Sequence, residues 1–162
     1  MNDAFELIEP YHTPPLDTDF RPAVLANRAF VSAVQDSGHA TPLRLALERA
    51  DGSISTYETV CYDEDAEQFG ANLFYAERLV KFLLWQRGGW KVIVGGPQAI
   101  GEHIKEVYAP DGERKFDFDF MGAQVYEREF TVEITDAASV PDTKEDTQPL
   151  GRHLDGCRLG ID

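Results

Sequence analysis

The stretch KVIVGGPQAIGEHIKEVY, Lys91 to Tyr108, decides the fold. Lys91-Val92-Ile93-Val94 is a β-rich run in which Val92, Ile93 and Val94 are β-branched and apolar, the chemistry of a strand. Gly95-Gly96 interrupts it. Pro97 suits the first position of a helix, where its missing N–H has no intrahelical partner to lose. Ile100, Ile104, Val107 and Tyr108 then share one helical face. A strand that runs through two glycines into a helix N-terminus can present free backbone N–H groups and a positive dipole end to a phosphate. The same residues also make the plain bend between a strand and a helix, and Pro97 removes one donor. Neither G-x-G-x-x-G nor G-x-x-x-x-G-K-[ST] occurs, so dinucleotide and P-loop readings do not hold. Gly95 and Gly96 stand as nucleotide-binding candidates on this turn alone.

Upstream, Phe69, Leu73, Ala76, Val80, Leu83 and Leu84 recur at helical spacing and predict a helix from about Ala66 to Arg87. Asp63-Glu64-Asp65 places negative charge where that helix should start, and Gly88-Gly89 stops it. Further back, Leu43, Leu45 and Leu47 alternate with Arg44, Ala46 and Glu48, and Ile54, Thr56, Tyr57, Thr59 and Val60 form a β-rich return. Asp51-Gly52-Ser53 between them predicts a hairpin turn, because Gly52 reaches positive φ without steric cost. Residues 1–42 carry Pro10, Pro14, Pro15, Pro22 and Pro42 and read as an extended arm over the domain surface, with one short helix near 22–35.

Downstream, Pro110-Asp111-Gly112 ends the helix begun at Pro97. FDFDFMGAQVYE, Phe116 to Glu127, fits either a strand and turn or a helical turn, and Glu129–Thr135 alternates as a strand. Residues 137–155 are polar with Pro141 and Pro149, a linker in character. Cys157 to Ile161 reads as a last strand that stops abruptly at Asp162. The order is hairpin, helix, strand, helix, strand, which predicts an α/β domain over 43–136 with helices packed on a sheet.

The chain has 162 residues, and 29 acidic against 15 basic side chains give a formal charge of −14. So acidic a surface repels phosphate backbones and anionic bilayers, and neither nucleic acid nor membrane is expected as a partner. Cys61 and Cys157 lack a C-x-x-C pattern and read as buried thiols, with nothing that requires a disulfide. The N-terminus has no basic region followed by an apolar run, and a cytoplasmic location is expected. His12, His39, His103 and His153 do not cluster, and His103 falls on the exposed side of its helix. No metal site, nucleophile elbow or catalytic residue is expected.

A family resemblance rests on two stretches. Leu159-Gly160-Ile161-Asp162 is similar to the start of the first phosphate-binding motif of the sugar-kinase, heat-shock chaperone and actin superfamily of ATPases. There, hydrophobic-Gly-hydrophobic-Asp is followed by one residue, Gly-Gly and Ser or Thr. HLDGCRLGID (His153–Asp162) and YAERLVKFLLWQRGGWKVIVGGP (Tyr75–Pro97) together resemble bacterial ROK-family proteins, sugar kinases and their relatives, in which a domain of this size precedes the ATPase core. The resemblance implies that 156–162 is the first strand of a missing C-terminal ATPase core. ATP and Mg²⁺ would bind that core near Asp162, and nothing implies a cofactor in the fragment. The helix, strand, Gly-Gly and helix of Leu79–Ile104 also follow the order at the family's adenosine site, which implies a degenerate actin-like, ribonuclease H-like half. Three functional readings follow: a non-catalytic accessory domain that packs on the core or forms a homodimer, a contributor to ATP-dependent sugar phosphorylation in the full-length protein, or a small-molecule binding module.

Overall fold

The structure, a computed structural model, describes residues 5–145. The fold is α/β. It has four principal helices and one mixed sheet of four strands in the order β2-β1-β3-β4. β1 (Ala40–Glu48) and β2 (Ile54–Tyr62) form the expected hairpin, with Leu45 opposite Tyr57 and Leu47 opposite Ser55. β3 (Lys91–Gly95) lies antiparallel to β1 on its other side, and β4 (Thr131–Thr135) runs parallel to β3.

The leucine alternation in β1 sets the layers. Leu43, Leu45 and Leu47 point to one face, joined there by Val92 and Val94 of β3, and all five are essentially inaccessible to solvent. α1 (Ala23–Asp36), α2 (Gly70–Arg87) and α3 (Gln98–Val107) cover that face through Phe30 and Val34, Tyr75 and Val80, and Ile100 and Ile104. Side chains alternate across a strand, so Ala46 and Ile93 face the opposite way, where Val140 and Ile54 pack on them in a smaller cluster.

Several expectations change here. The helix predicted near 22–35 forms, but it is no surface arm. Phe30 stacks on Tyr75 with ring centroids 4.2 Å apart and meets Tyr62 edge-on at 5.6 Å, which makes α1 part of the main core. α2 begins at Gly70 rather than Ala66. Asp63 does not cap it; its carboxylate accepts from the Asp65 backbone N–H and lies 3.0 Å from His39 Nδ1. The ambiguous stretch after Phe116 is helical. α4 (Lys115–Asp119) runs into a π-helical segment, Phe120–Tyr126. The first part of the expected linker folds back on the sheet. A 3₁₀ turn at Ala137–Ser139 leads to buried Val140, and the Ile54 and Lys144 backbones exchange two 2.8 Å hydrogen bonds. The remaining linker, the strand expected over 157–161, Cys157, His153 and Asp162 lie outside the described residues.

Three buried acids that titrate at high pH have raised pKa values. Burial pushes the Cys61 thiol and the Tyr75 hydroxyl each up to about 12 and raises Tyr108 as well. Burial disfavours the charged forms, so the folded chain keeps these protons where the unfolded chain loses them. Stability is therefore unaffected by these groups below about pH 9 and falls as pH rises from there toward 12, by up to about 1.4 kcal/mol per pH unit for each group. Urea midpoints at pH 8, 10 and 11 should decline in that order; a flat profile would contradict the burial of these three side chains.

Candidate functional site

Gly95 closes β3 opposite Arg44 and Thr135. A Cβ on Gly95 would collide with Val140 Cγ2 and lie 2.9 Å from the Asp136 carbonyl oxygen. The space that a phosphate would need beside this glycine is filled by the chain's own 136–140 segment. Gly96 has φ of 152°, and a Cβ there would lie 3.1 Å from the Pro42 carbonyl oxygen. Its N–H donates to Thr135 O at 3.3 Å. The shallow hollow outside the turn is lined by Asp63, Glu64 and Asp136, with no cation among its lining residues. Three carboxylates at a helix N-terminus oppose a phosphate there. The glycines permit close packing between strand, hairpin and return segment, and they do not fit a nucleotide cradle. Asp162, the third candidate, lies outside the described residues.

His103 is not on a solvated face. Its Nε2 lies 3.3 Å from Glu77 Oε2, while Arg114 donates to Glu77 Oε1 from Nε at 2.8 Å and Nη2 at 2.6 Å. This half-buried group ties α2, α3 and the loop before α4 together. Both Glu77 oxygens are engaged by these partners. Among the described residues no group of three His, Cys, Asp or Glu side chains could hold a metal ion. No described helix is long and apolar enough to cross a membrane.

The outer face of α2 is the most unusual surface. Phe74, Arg78, Phe82 and Trp85 follow one another at spacings of four, four and three, which places them in one stripe opposite the buried one. Phe82 is 58% and Trp85 49% exposed. On one side of this stripe, α1 and α2 border a groove of about 620 Å³ above Tyr57 of β2. Val24, Val31, Tyr57, Leu79 and Phe82 give it apolar walls. Its charged lining residues are Arg28 and Arg78, and no carboxylate lines it.

On the other side, α4 brings Phe116 and Phe120 against Trp85. The indole is parallel to Phe116 within 4°, at 6.3 Å, and to Phe120 within 14°, at 5.3 Å. Trp85 Nε1 donates to the buried Asp117 carboxylate at 2.8 Å, which fixes the ring orientation. Phe116 is 66% exposed. Three aromatic rings are thus stacked, with the indole fixed by Asp117, at a surface where water would normally be met by polar side chains.

The spacing 74, 78, 82, 85 was available in the sequence as a second stripe on α2, aromatic except for Arg78. It shows as a site only once α1 and α4 are known to flank it. Comparison with protein-family models, curated proteins and solved structures returned no match.

Proposed function

We propose that this chain is a non-catalytic accessory domain that docks on a partner domain through the Trp85–Phe116–Phe120 platform. One observation carries the reading: an exposed, pre-stacked aromatic surface whose indole is locked by Asp117. Rigid aromatic anchors lose little conformational freedom when they are buried, and such residues dominate the energetics of interfaces. The resemblance of Tyr75–Pro97 and His153–Asp162 to ROK-family proteins supplies the partner, the ATPase core of a sugar-kinase-type protein in the cytoplasm. ATP and Mg²⁺ belong in this reading to that core, since the Gly95–Gly96 turn does not fit them.

The test uses a polypeptide that continues past Asp162 into an ATPase core. Amides of α4 and the last turn of α2 should exchange hydrogen more slowly there than in the 162-residue chain. Phe116→Ser should abolish that protection while changing the isolated domain's stability by less than about 2 kcal/mol, since it loses only the ring stacks on Trp85 and Phe120. Equal exchange in the two polypeptides would remove the docking reading. The homodimer arrangement is checked by sedimentation velocity of the 162-residue chain: a concentration-dependent dimer that Phe116→Ser dissociates would put a second copy, not a core, on this platform.

A further inference from the structure

The groove between α1 and α2 is chemically distinct from the rest of this molecule, and it stands independently of the docking platform. The chain carries 29 acidic and 15 basic side chains, so a groove of this size placed at random would be lined by carboxylates. Instead its charged lining residues are Arg28 and Arg78, and the hollow that continues it past Phe82 adds Lys81. Among the described residues none of these three cations forms an ion pair. Arg78 is held over the rings of Phe5 at 5.6 Å and Phe74 at 5.3 Å, which orients its guanidinium and leaves it without a counter-charge. Within the groove lining, Asn27 has a buried side-chain oxygen with no hydrogen-bond partner.

We propose that this groove binds a medium-chain carboxylate, with the alkyl tail along Val31, Leu79 and Phe82 and the carboxylate between Arg28 and Arg78. The walls suit a flexible apolar tail, and about 620 Å³ lies within the usual range for small-ligand sites. A guanidinium pair is the recognition chemistry of a carboxylate, because each fork can donate two parallel N–H bonds.

The overall charge makes the test sharp. A chain of net charge −14 attracts a cationic amphiphile and repels an anionic one wherever binding is unspecific. Selectivity for the anion would oppose that background. Decanoate, decyltrimethylammonium and acetate are titrated into ¹⁵N-labelled chain at constant ionic strength, below the micelle concentration of each amphiphile. Decanoate should bind saturably, shifting amides of α1 and α2, at least tenfold more tightly than decyltrimethylammonium, with no binding of acetate. Affinity should rise about fourfold per methylene along the series octanoate, nonanoate, decanoate until the groove is filled. Arg28→Gln with Arg78→Gln should remove the preference for the anion and leave tail binding in place, and the double lysine variant should restore most of it. Equal binding of the two head groups, or a preference for the cation, would overturn the carboxylate assignment. Absence of saturable binding by decanoate would overturn the site itself. None of these outcomes touches the docking proposal, whose readout is hydrogen exchange in α4.

Discussion

Phe30→Ala should cost the domain about 3–5 kcal/mol, the usual range for truncating a buried phenylalanine, and equilibrium urea denaturation would read the loss directly. The expectation rests on where the ring sits. Phe30 is 5% exposed and packs against three other rings: Tyr75 of α2, Tyr62 at the end of β2, and Phe5. Its removal opens a cavity between a helix and the edge of the sheet, and none of those aromatics can fill it without leaving the others. A loss of this size is a large share of the 5–15 kcal/mol that an ordinary domain has in total. Phe30→Leu should recover part of it by keeping volume and apolarity. The outcome that would sink the argument is a Phe30→Ala variant within 1 kcal/mol of the parent. Residues 23–36 would then be the detachable arm that the proline-rich N-terminus suggests, and the groove above Tyr57 would lose its α1 wall.

The reason the sequence showed α1 as a helix but hid its place in the core is instructive. Ala26, Phe30 and Val34 are spaced by four and all three are buried, so a narrow stripe was present. Five prolines in the first 42 residues outweighed it, because proline density is a strong local signal and a three-residue stripe is a weak one. The hairpin, α2, β3 and α3 were legible because each carries its own period and its own stop. Phe116–Phe118–Phe120 was not, because it satisfies two periods at once. Alternation with Asp117 and Asp119 mimics a strand, whereas the pair Phe116 and Phe120, four apart, suits a helix. A contact far along the chain decides between them: Trp85 accepts both rings side by side, and Asp117 is turned inward to its indole N–H. The candidate surface was half legible for the same reason. The stripe through Phe74, Arg78, Phe82 and Trp85 is local, but the elements that make it a groove and a platform arrive from 50 residues before and 30 after, by about that separation in the chain.

Gly95→Ala should destabilise the domain by about 1–3 kcal/mol, the typical cost of overpacking, and Gly95→Val by more. The added Cβ meets Val140 Cγ2, the Asp136 carbonyl oxygen at 2.9 Å and the Ala137 Cα at 3.0 Å. Two of these are backbone atoms and cannot swing away as a long side chain would. The neighbouring segment is pinned as well, since Arg44 donates to the Val140 carbonyl oxygen at 2.9 Å and contacts the Asp142 carboxylate at 2.7 Å. Because one of the three contacts is a side chain, the cost should be partly shared. Val140→Ala alone loses apolar burial against Ala46 and Ile93, yet with Gly95→Ala it removes the collision with Cγ2. The double variant should therefore be less destabilised than the sum of the singles by at least about 0.5 kcal/mol, the scale on which touching residues depart from additivity. A phosphate-cradling glycine would behave differently: Gly95→Ala would leave folding near parental and abolish a thermal shift with Mg-ATP. Parental stability for Gly95→Ala, together with a saturable ATP shift in the parent that the variant lacks, would return this turn to nucleotide binding. A stability loss coupled to Val140, with no ATP shift in either protein, would mean that Gly95 is a glycine so that residues 136–140 can close over the end of β3.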